Sequence, residues 1–571
     1  MGSEMCIRDS ARTVWQLADV HLQLSYAEGA SIFARCLRER RFGARAPASG
    51  GRAPRGGGGG GGGGGVPRWA FGAAGPFGDD YCDSPPRLLD EALAHINASH
   101  ATSVDRSLRP LVLLTGDLVM SGAGGRSPVS DEAVLAAPEA VAAALARHLP
   151  AARVFPLWGN HDLLPYNTHT GAAGAASLAV QRAFAPWAGD VAARELGERG
   201  YYAVDLSTDL GLSATHAESQ RAPRVLLIAL NTVLFSPSNS AAHSADGLLA
   251  ARAHLGWLGD HLRKLNASGG SAILAGHEPP GADWYTSRER RAPVESWWIP
   301  AHAFEYARLV SRHAAVVALQ AFGHTHADEV RIVAPPSAAG TDDGGTRAGG
   351  DHDGGANLAR TPAPAAETAG RAPEPTVAFV APPLTPYGSA FNPAVRAYAF
   401  DVRARGADGG GGAGSGARSA PRLLQLRDFT QWVLLLESSN ALNRSFWQVE
   451  YSATRAYGLA DMSARSWLAA IGRMHEPRSV ELLRYVAHAN VWDQGRERFH
   501  SIDGARAMLC GAQHVEPGAF ARCRDDATGA LRAPPRARHG DVLPSAGSLE
   551  DEGRSAMFPT LPRGVTLAAT G

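Results

Sequence analysis

Five short polar clusters along the chain could do chemistry together: Asp19-Val20-His21, Gly116-Asp117, Gly159-Asn160-His161-Asp162, Gly276-His277 and Gly323-His324-Thr325-His326. Carboxylate, amide and imidazole supply oxygen and nitrogen donors, and no cysteine stands among them. That donor set suits zinc, manganese or iron in a reactive site, whereas purely structural zinc sites draw on thiolates. Asp19 and His21 are separated by one residue, so both can face one ion. Asp117 is placed to bridge that ion to a second. Asn160, His277 and His324 complete the second ion's set, and His326 completes the first. His161 is then left beside the site but off the metals, and Asp162 reads as a residue that fixes local structure. Asp-x-His or Gly-Asp alone is common in any protein; the ordered set of five carries the inference.

The elements that position these residues repeat one pattern. Runs at 13–17, 111–114, 154–158, 225–230, 272–274 and 316–322 are apolar or β-branched, and each ends in a polar cluster, the fourth in Asn231-Thr232. Runs of this length read as buried strands. Helical spacing at 86–96, 132–148, 248–265 and 304–313 lies between them. Strands alternating with helices give an α/β layered domain, in which ligands bind beyond the carboxyl ends of the strands. Every donor cluster falls at such an end, so the clusters can converge although the chain separates them.

The remaining sequence narrows the function classes. The chain has 571 residues, with 55 Lys+Arg against 55 Asp+Glu and no net charge. Nucleic-acid binding is therefore not expected over the whole surface. No apolar run is long enough for a transmembrane helix. Gly and Pro number 65 and 37, too few for a wholly low-complexity chain. They concentrate at 43–69, which contains the glycine run Gly56–Gly65, at 335–375, at 405–420 and at 529–571. These segments lack apolar periodicity and read as disordered insertions, a linker and a tail. Segment 1–10 has neither the basic nor the apolar region of a signal peptide; it reads as non-native, on a chain truncated or mis-extended at its start. Asn97-Ala98-Ser99, Asn266-Ala267-Ser268 and Asn443-Arg444-Ser445 are glycosylation sequons compatible with secretion. Trp297-Trp298 suits a substrate groove or the core equally, and Arg288-Glu289-Arg290-Arg291 reads as a solvated loop.

With these motifs in place, the sequence resembles the calcineurin-like metallophosphoesterases, and within them the acid sphingomyelinase-like phosphodiesterases. Cys82-Asp83-Ser84-Pro85, Leu230-Asn231-Thr232, Gly276-His277-Glu278-Pro279-Pro280-Gly281 and Ala381-Pro382-Pro383-Leu384-Thr385-Pro386 carry the likeness beyond the metal motifs. The resemblance implies a four-layer α-β-β-α sandwich over 11–404, with the linker 405–420 and a small, mostly helical C-terminal subdomain over 421–528. It implies two ions, zinc in the family pattern, with Asp19, His21, Asp117 and His326 on one and Asp117, Asn160, His277 and His324 on the other. His161 would protonate the leaving group. Disulfides would join Cys36 to Cys82 and Cys510 to Cys523, which implies an oxidising compartment: secretion or a lysosome-like lumen. One departure stands out. Ser121 occupies a position beside the substrate phosphate where the family commonly has histidine. Its hydroxyl can hydrogen-bond a phosphate oxygen but does not donate a proton near neutral pH.

The expected reaction is phosphodiester hydrolysis by in-line attack of a metal-bridging hydroxide, favoured by two ions ~3.5–4 Å apart. The substrate would be a phosphocholine headgroup linkage or a nucleotide-type diester, and the chain a monomer. An endopolyphosphatase is the alternative enzyme, although the basic clusters that a polyanion groove needs are sparse. A non-catalytic scaffold on the same fold would predict eroded ligands, which the sequence does not have.

Overall fold

The computed structural model describes residues 10–32, 35–37, 73–103, 105–121, 129–172, 174–212, 223–336, 372–387, 392–403, 423–476, 478–492 and 502–526. The segments read as disordered at 43–69, 405–420 and 529–571, most of 335–375, and all of 1–10 but its last residue, lie outside the described residues.

Among the described residues, twelve strands form two six-stranded sheets. The strands are β1 Ser10–Leu17, β2 Leu111–Leu114, β3 Arg153–Pro156, β4 Tyr202–Asp205, β5 Val225–Ala229, β6 Ser271–Ala275, β7 Val317–Phe322, β8 Glu329–Val333, β9 Thr376–Val380, β10 Ala394–Val402, β11 Leu424–Leu434 and β12 Trp447–Ser452. The first sheet runs β12-β11-β10-β1-β2-β3 and the second β4-β5-β6-β7-β9-β8. Strands β1, β2 and β3 are parallel to one another, as are β5, β6, β7 and β9. The added strands β10, β11 and β12, and the edge strands β4 and β8, are antiparallel to their neighbours.

The central strands read as unbroken apolar runs because both of their faces are covered. Along β5 and β6, Leu227, Ala229, Ile273 and Ala275 face the core shared with β1, β2 and β3. Their alternating neighbours Leu226, Ile228, Ala272 and Leu274 pack against the helices Ala245–Ser268 and Pro300–Arg312. The helices Pro86–Ala101 and Asp131–His148 send Leu88, Leu93, Val141 and Leu145 into the core from the first sheet's side. Sheet therefore packs on sheet with helices outside, in the expected four layers. Gln16 ties the two sheets together: its Nε2 donates to Phe322 O at 2.8 Å, and its Oε1 accepts from Tyr398 OH at 2.8 Å.

The expected helices run longer than the periodicity marked, and two of them start at a serine cap. Ser130 and Ser244 accept from the third residue beyond them, Ala133 and Gly247, and so start the helices at Asp131 and Ala245. Pro300 starts the helix read as 304–313. The segment read as a C-terminal subdomain contributes β11 and β12 to the first sheet, with the helix Leu436–Leu442 between them, and continues in helices at Ala453–Tyr457, Ala464–Met474, Val480–Ala489, Ile502–Gln513 and Pro517–Asp525. Cys36–Cys82 and Cys510–Cys523 are disulfides. The sequon residues Asn97, Asn266 and Asn443 are all exposed. No described helix is long and apolar enough to cross a membrane.

Candidate metal centre

The parallel strands of both sheets deliver their polar clusters to one place. β1 ends two residues before Asp19, β2 three before Asp117, and β6 and β7 each two before a histidine. The loops are laced together: His21 N–H donates to Asp117 O at 2.8 Å, and Gly323 N–H to His277 O at 2.9 Å. Among the described residues, two donor groups result, Asp19 with His21 and His326, and Asp117 with His277 and His324. Asn160 joins the second, its Oδ1 lying 3.0 Å from His277 Nε2. Asp117 stands between the groups, with Oδ2 at 3.4 Å from His21 Nε2 and 3.3 Å from His277 Nε2.

The protonation logic of this cluster calls for cations. His21 Nδ1 sits 2.9 Å from Val119 O, and His277 Nδ1 sits 2.8 Å from Thr115 O. A carbonyl only accepts, so each Nδ1 carries the ring proton and each Nε2 presents a lone pair. His326 turns Nδ1 to Tyr387 O at 3.3 Å in the same way. The lone pairs of His21 and His326 then face each other at 3.1 Å. His277 Nε2 meets Asn160 Oδ1, Asp117 Oδ2 and, at 3.1 Å, His324 Nδ1. Acceptors converge without donors between them, which fits two bound cations held by rings oriented from behind by backbone carbonyls. The titration tendencies agree at His21 and His324, and at His277 they mark a ring that carries positive charge where no ion supplies it. Burial holds His21 and His324 down at about 3, the neutral form a metal requires. Burial would lower His277 too, but Asp117 and Asp19 outweigh it and push the ring up to about 10. Burial likewise fails to lift Asp117, which neighbouring histidines keep well below the usual carboxylate range.

Backbone strain builds this geometry. Asp19, His21, Asp117, His324 and His326 all have positive φ, between 42° and 75°, a conformation that costs about 1–3 kcal/mol per non-glycine residue. Glycine is required beside them. A Cβ on Gly159 would come within 2.2 Å of Asp117 N and 2.0 Å of Asp117 Oδ1. Asp162 braces the same corner. Its carboxylate accepts from the N–H groups of Asp117, Leu118, Val119 and Gly159, at 2.7 to 3.0 Å.

His161 lies beside the cluster. Its backbone N–H donates to Asp117 Oδ1 at 2.9 Å, and its half-buried ring meets His21 edge-on at 5.0 Å and Tyr166 at 4.9 Å. Burial lowers its pKa from the ordinary histidine value. His161, His324 and His326 are partly exposed, whereas Asp19, His21, Asp117, Asn160 and His277 are buried, so approach is from the former side. Ser121 donates its hydroxyl to Asp83 Oδ1 at 2.7 Å, so that proton is already engaged within the protein. The tryptophan pair divides. Trp298 is fully buried and donates to Glu278 O, while Trp297 meets His324 edge-on at 4.6 Å and walls a neighbouring cavity. Arg288 turns to Tyr285 O and Arg290 to Asp525 O. Tyr166 and the orienting carbonyls carry no sequence signal, because they reach the centre through loop geometry and not through a motif.

Comparison with known proteins finds similar sequences along most of the chain. The sequence pattern of the family described as calcineurin-like phosphoesterase matches residues 12–328. Acid sphingomyelinase-like phosphodiesterase 3b of Homo sapiens is 24% identical over 520 residues, covering 89% of this chain and 89% of that protein. Cyclic GMP-AMP phosphodiesterase SMPDL3A of Bos taurus is 23% identical, covering 72% of this chain and 75% of that one. Sphingomyelin phosphodiesterase of Homo sapiens is 25% identical, covering 70% of this chain and 51% of that one.

Proposed function

We propose a function from one premise: this chain belongs to the calcineurin-like phosphoesterase family. It is a hydrolytic enzyme that cleaves phosphodiesters. We read it as working with two divalent ions, zinc first among them, on a phosphocholine headgroup linkage or a nucleotide-type diester. The observation that carries this reading is the convergence of acceptor atoms around Asp117 Oδ2, which lies between His21 and His277.

In this reading Asp19, His21, Asp117 and His326 hold one ion, and Asp117, Asn160, His277 and His324 hold the other. When bound, the ions activate water and offset charge building on the phosphoryl oxygens. The chain's own residues do the rest. The buried ligands keep bulk water out from behind, and the exposed edges of His324 and His326 leave the diester one direction of approach. His161, beside His21 on that side, gives its ring proton to the departing alkoxide, a step that contributes ~10²–10⁴-fold. Ser121, with its hydroxyl donated to Asp83, contributes only acceptor lone pairs near the phosphate. A polyphosphate substrate fits less well, since the cavity beside His324 is lined by Asp283, Glu329 and aromatic rings without a basic side chain. The two disulfides suit a secreted protein or an oxidising lumen, and the three exposed sequons are available for glycans there.

One panel tests the reading: sphingomyelin, a chromogenic diester, a nucleoside triphosphate and polyphosphate, each with and without added zinc. Zinc-dependent turnover of a diester is expected. Failure on all four would overturn the reading and leave a binding role for the fold.

A further inference from the structure

Beside His324 a cavity of about 130 Å³ is lined by Trp284, Tyr285, Trp297, Thr325, Asp283 and Glu329, among others. Its aromatic wall belongs to one loop, residues 281–299. The two limbs of that loop hold each other: Asp283 N–H donates to Glu295 O at 2.8 Å, and Trp297 N–H to Gly281 O at 3.0 Å. The tip of the loop is held from elsewhere. Arg524, in the C-terminal helix Pro517–Asp525, is 2% exposed. It donates Nη1 to Ser287 O at 2.7 Å and Nη2 to Ala292 O at 2.9 Å. Asp525 adds two contacts, its Oδ1 accepting from Arg291 N–H at 2.9 Å and its carbonyl from Arg290 Nη2 at 2.8 Å. The Cys510–Cys523 disulfide ties this helix to Ile502–Gln513, whose Gly511 lies against Trp284, with room for a Cβ only 3.1 Å from that ring.

We propose that Arg524 is a positioning residue for substrate recognition. It fixes the loop so that Trp297 and Tyr285 wall a subsite for the organic group of the phosphodiester, next to the centre but outside it. The inference rests on the phosphodiesterase reading above. A buried guanidinium spent wholly on loop carbonyls and its neighbouring carboxylate stabilises one loop geometry, because losing it strands the acceptors it now satisfies. A flat or apolar group gains from stacking on the tryptophan face. No basic side chain stands in the lining to bind a second phosphate, and the Glu329 carboxylate is already paired with Arg331.

The test uses the full chain loaded with zinc and two esters that share p-nitrophenolate as leaving group: thymidine 5′-p-nitrophenyl phosphate, whose nucleoside fills the cavity, and methyl p-nitrophenyl phosphate, whose methyl group does not. In Arg524→Ala, kcat/KM for the thymidine ester should fall by roughly tenfold or more, mainly through KM, while the methyl ester stays within about twofold. Arg524→Lys, which has one nitrogen where two now reach Ser287 O and Ala292 O, should fall between. Equal losses on both esters, or no loss on either, would overturn the proposal. If Arg524→Ala does not fold, Asp525→Ala takes its place, with the same selective direction expected. Wild-type chain inactive on both esters would instead sink the phosphodiesterase reading. Hydrogen exchange then decides the positioning role: residues 283–297 should lose protection in the variant while 245–268 keep theirs, and unchanged protection at 283–297 would overturn it.

Discussion

A histidine serves a cation only when its own proton sits elsewhere, and here the backbone decides where. Carbonyls of Thr115, Val119 and Tyr387 take the outer nitrogens of His277, His21 and His326, which leaves the inner nitrogens aimed at one another and at Asp117. Two substitutions separate holding metal from using it. His161→Ala should retain both ions by elemental analysis and lose ~10²-fold or more in kcat on an alkyl diester; near-wild-type turnover would remove His161 from the chemistry. Asp117→Asn should lose ion occupancy as well as turnover, and two retained ions per chain would contradict a bridging carboxylate. The donors were legible because Asp, Asn and His each stand directly after an apolar run. The carbonyls that orient them were not, since any residue type supplies a carbonyl.

At the level of elements, the strand ends were readable and the turns beyond them were not. An unbroken run such as Val225–Ala229 announces a strand covered on both faces. Nothing in the composition of Asp19 or His324 announces a left-handed backbone; that conformation is imposed by loops packed against one another. Gly159 shows how tightly. Gly159→Ala would drive a methyl group into Asp117 and its backbone, so unfolding stability should drop by about 2 kcal/mol or more and metal occupancy with it. A folded, two-ion Gly159→Ala protein would show that the corner relaxes more than its contacts imply. The C-terminal strands were hidden for another reason. β11 alternates buried and outward residues along Leu424–Leu434, as a strand should, but its partner β10 lies across the glycine-rich segment 405–420, and which strand it pairs with leaves no local trace.

Across the whole molecule, burial sets how the protein answers acid. His254 lies flat on Tyr201 at 3.9 Å, and burial holds its pKa down at about 3. His488 on Tyr451 is held at about 3 by burial as well, and His169 at about 4. The unfolded chain takes protons at these rings near the ordinary value of 6.5, while the folded chain refuses them. Their contribution is therefore full above ~6.5 and is lost as pH falls toward ~4, by about 2 kcal/mol per ring at pH ~5. Asp162 and Glu278, both lifted to about 7 by burial, act in the opposite direction, so the ring is isolated by substitution: between pH ~7 and ~5 the His254→Phe protein should lose less stability than the wild type, read as the difference in urea midpoints, and a constant difference would show that this ring is protonated in the folded state. A different consequence follows from the strand order. β1, which leads into Asp19, lies between β2 and β10. A ribosome makes β1 first among the strands, and makes β10 only after His326, the last of the seven donors. Every donor is thus made before β10, the second of the two strands that flank β1, so the sheet under the centre is completed late.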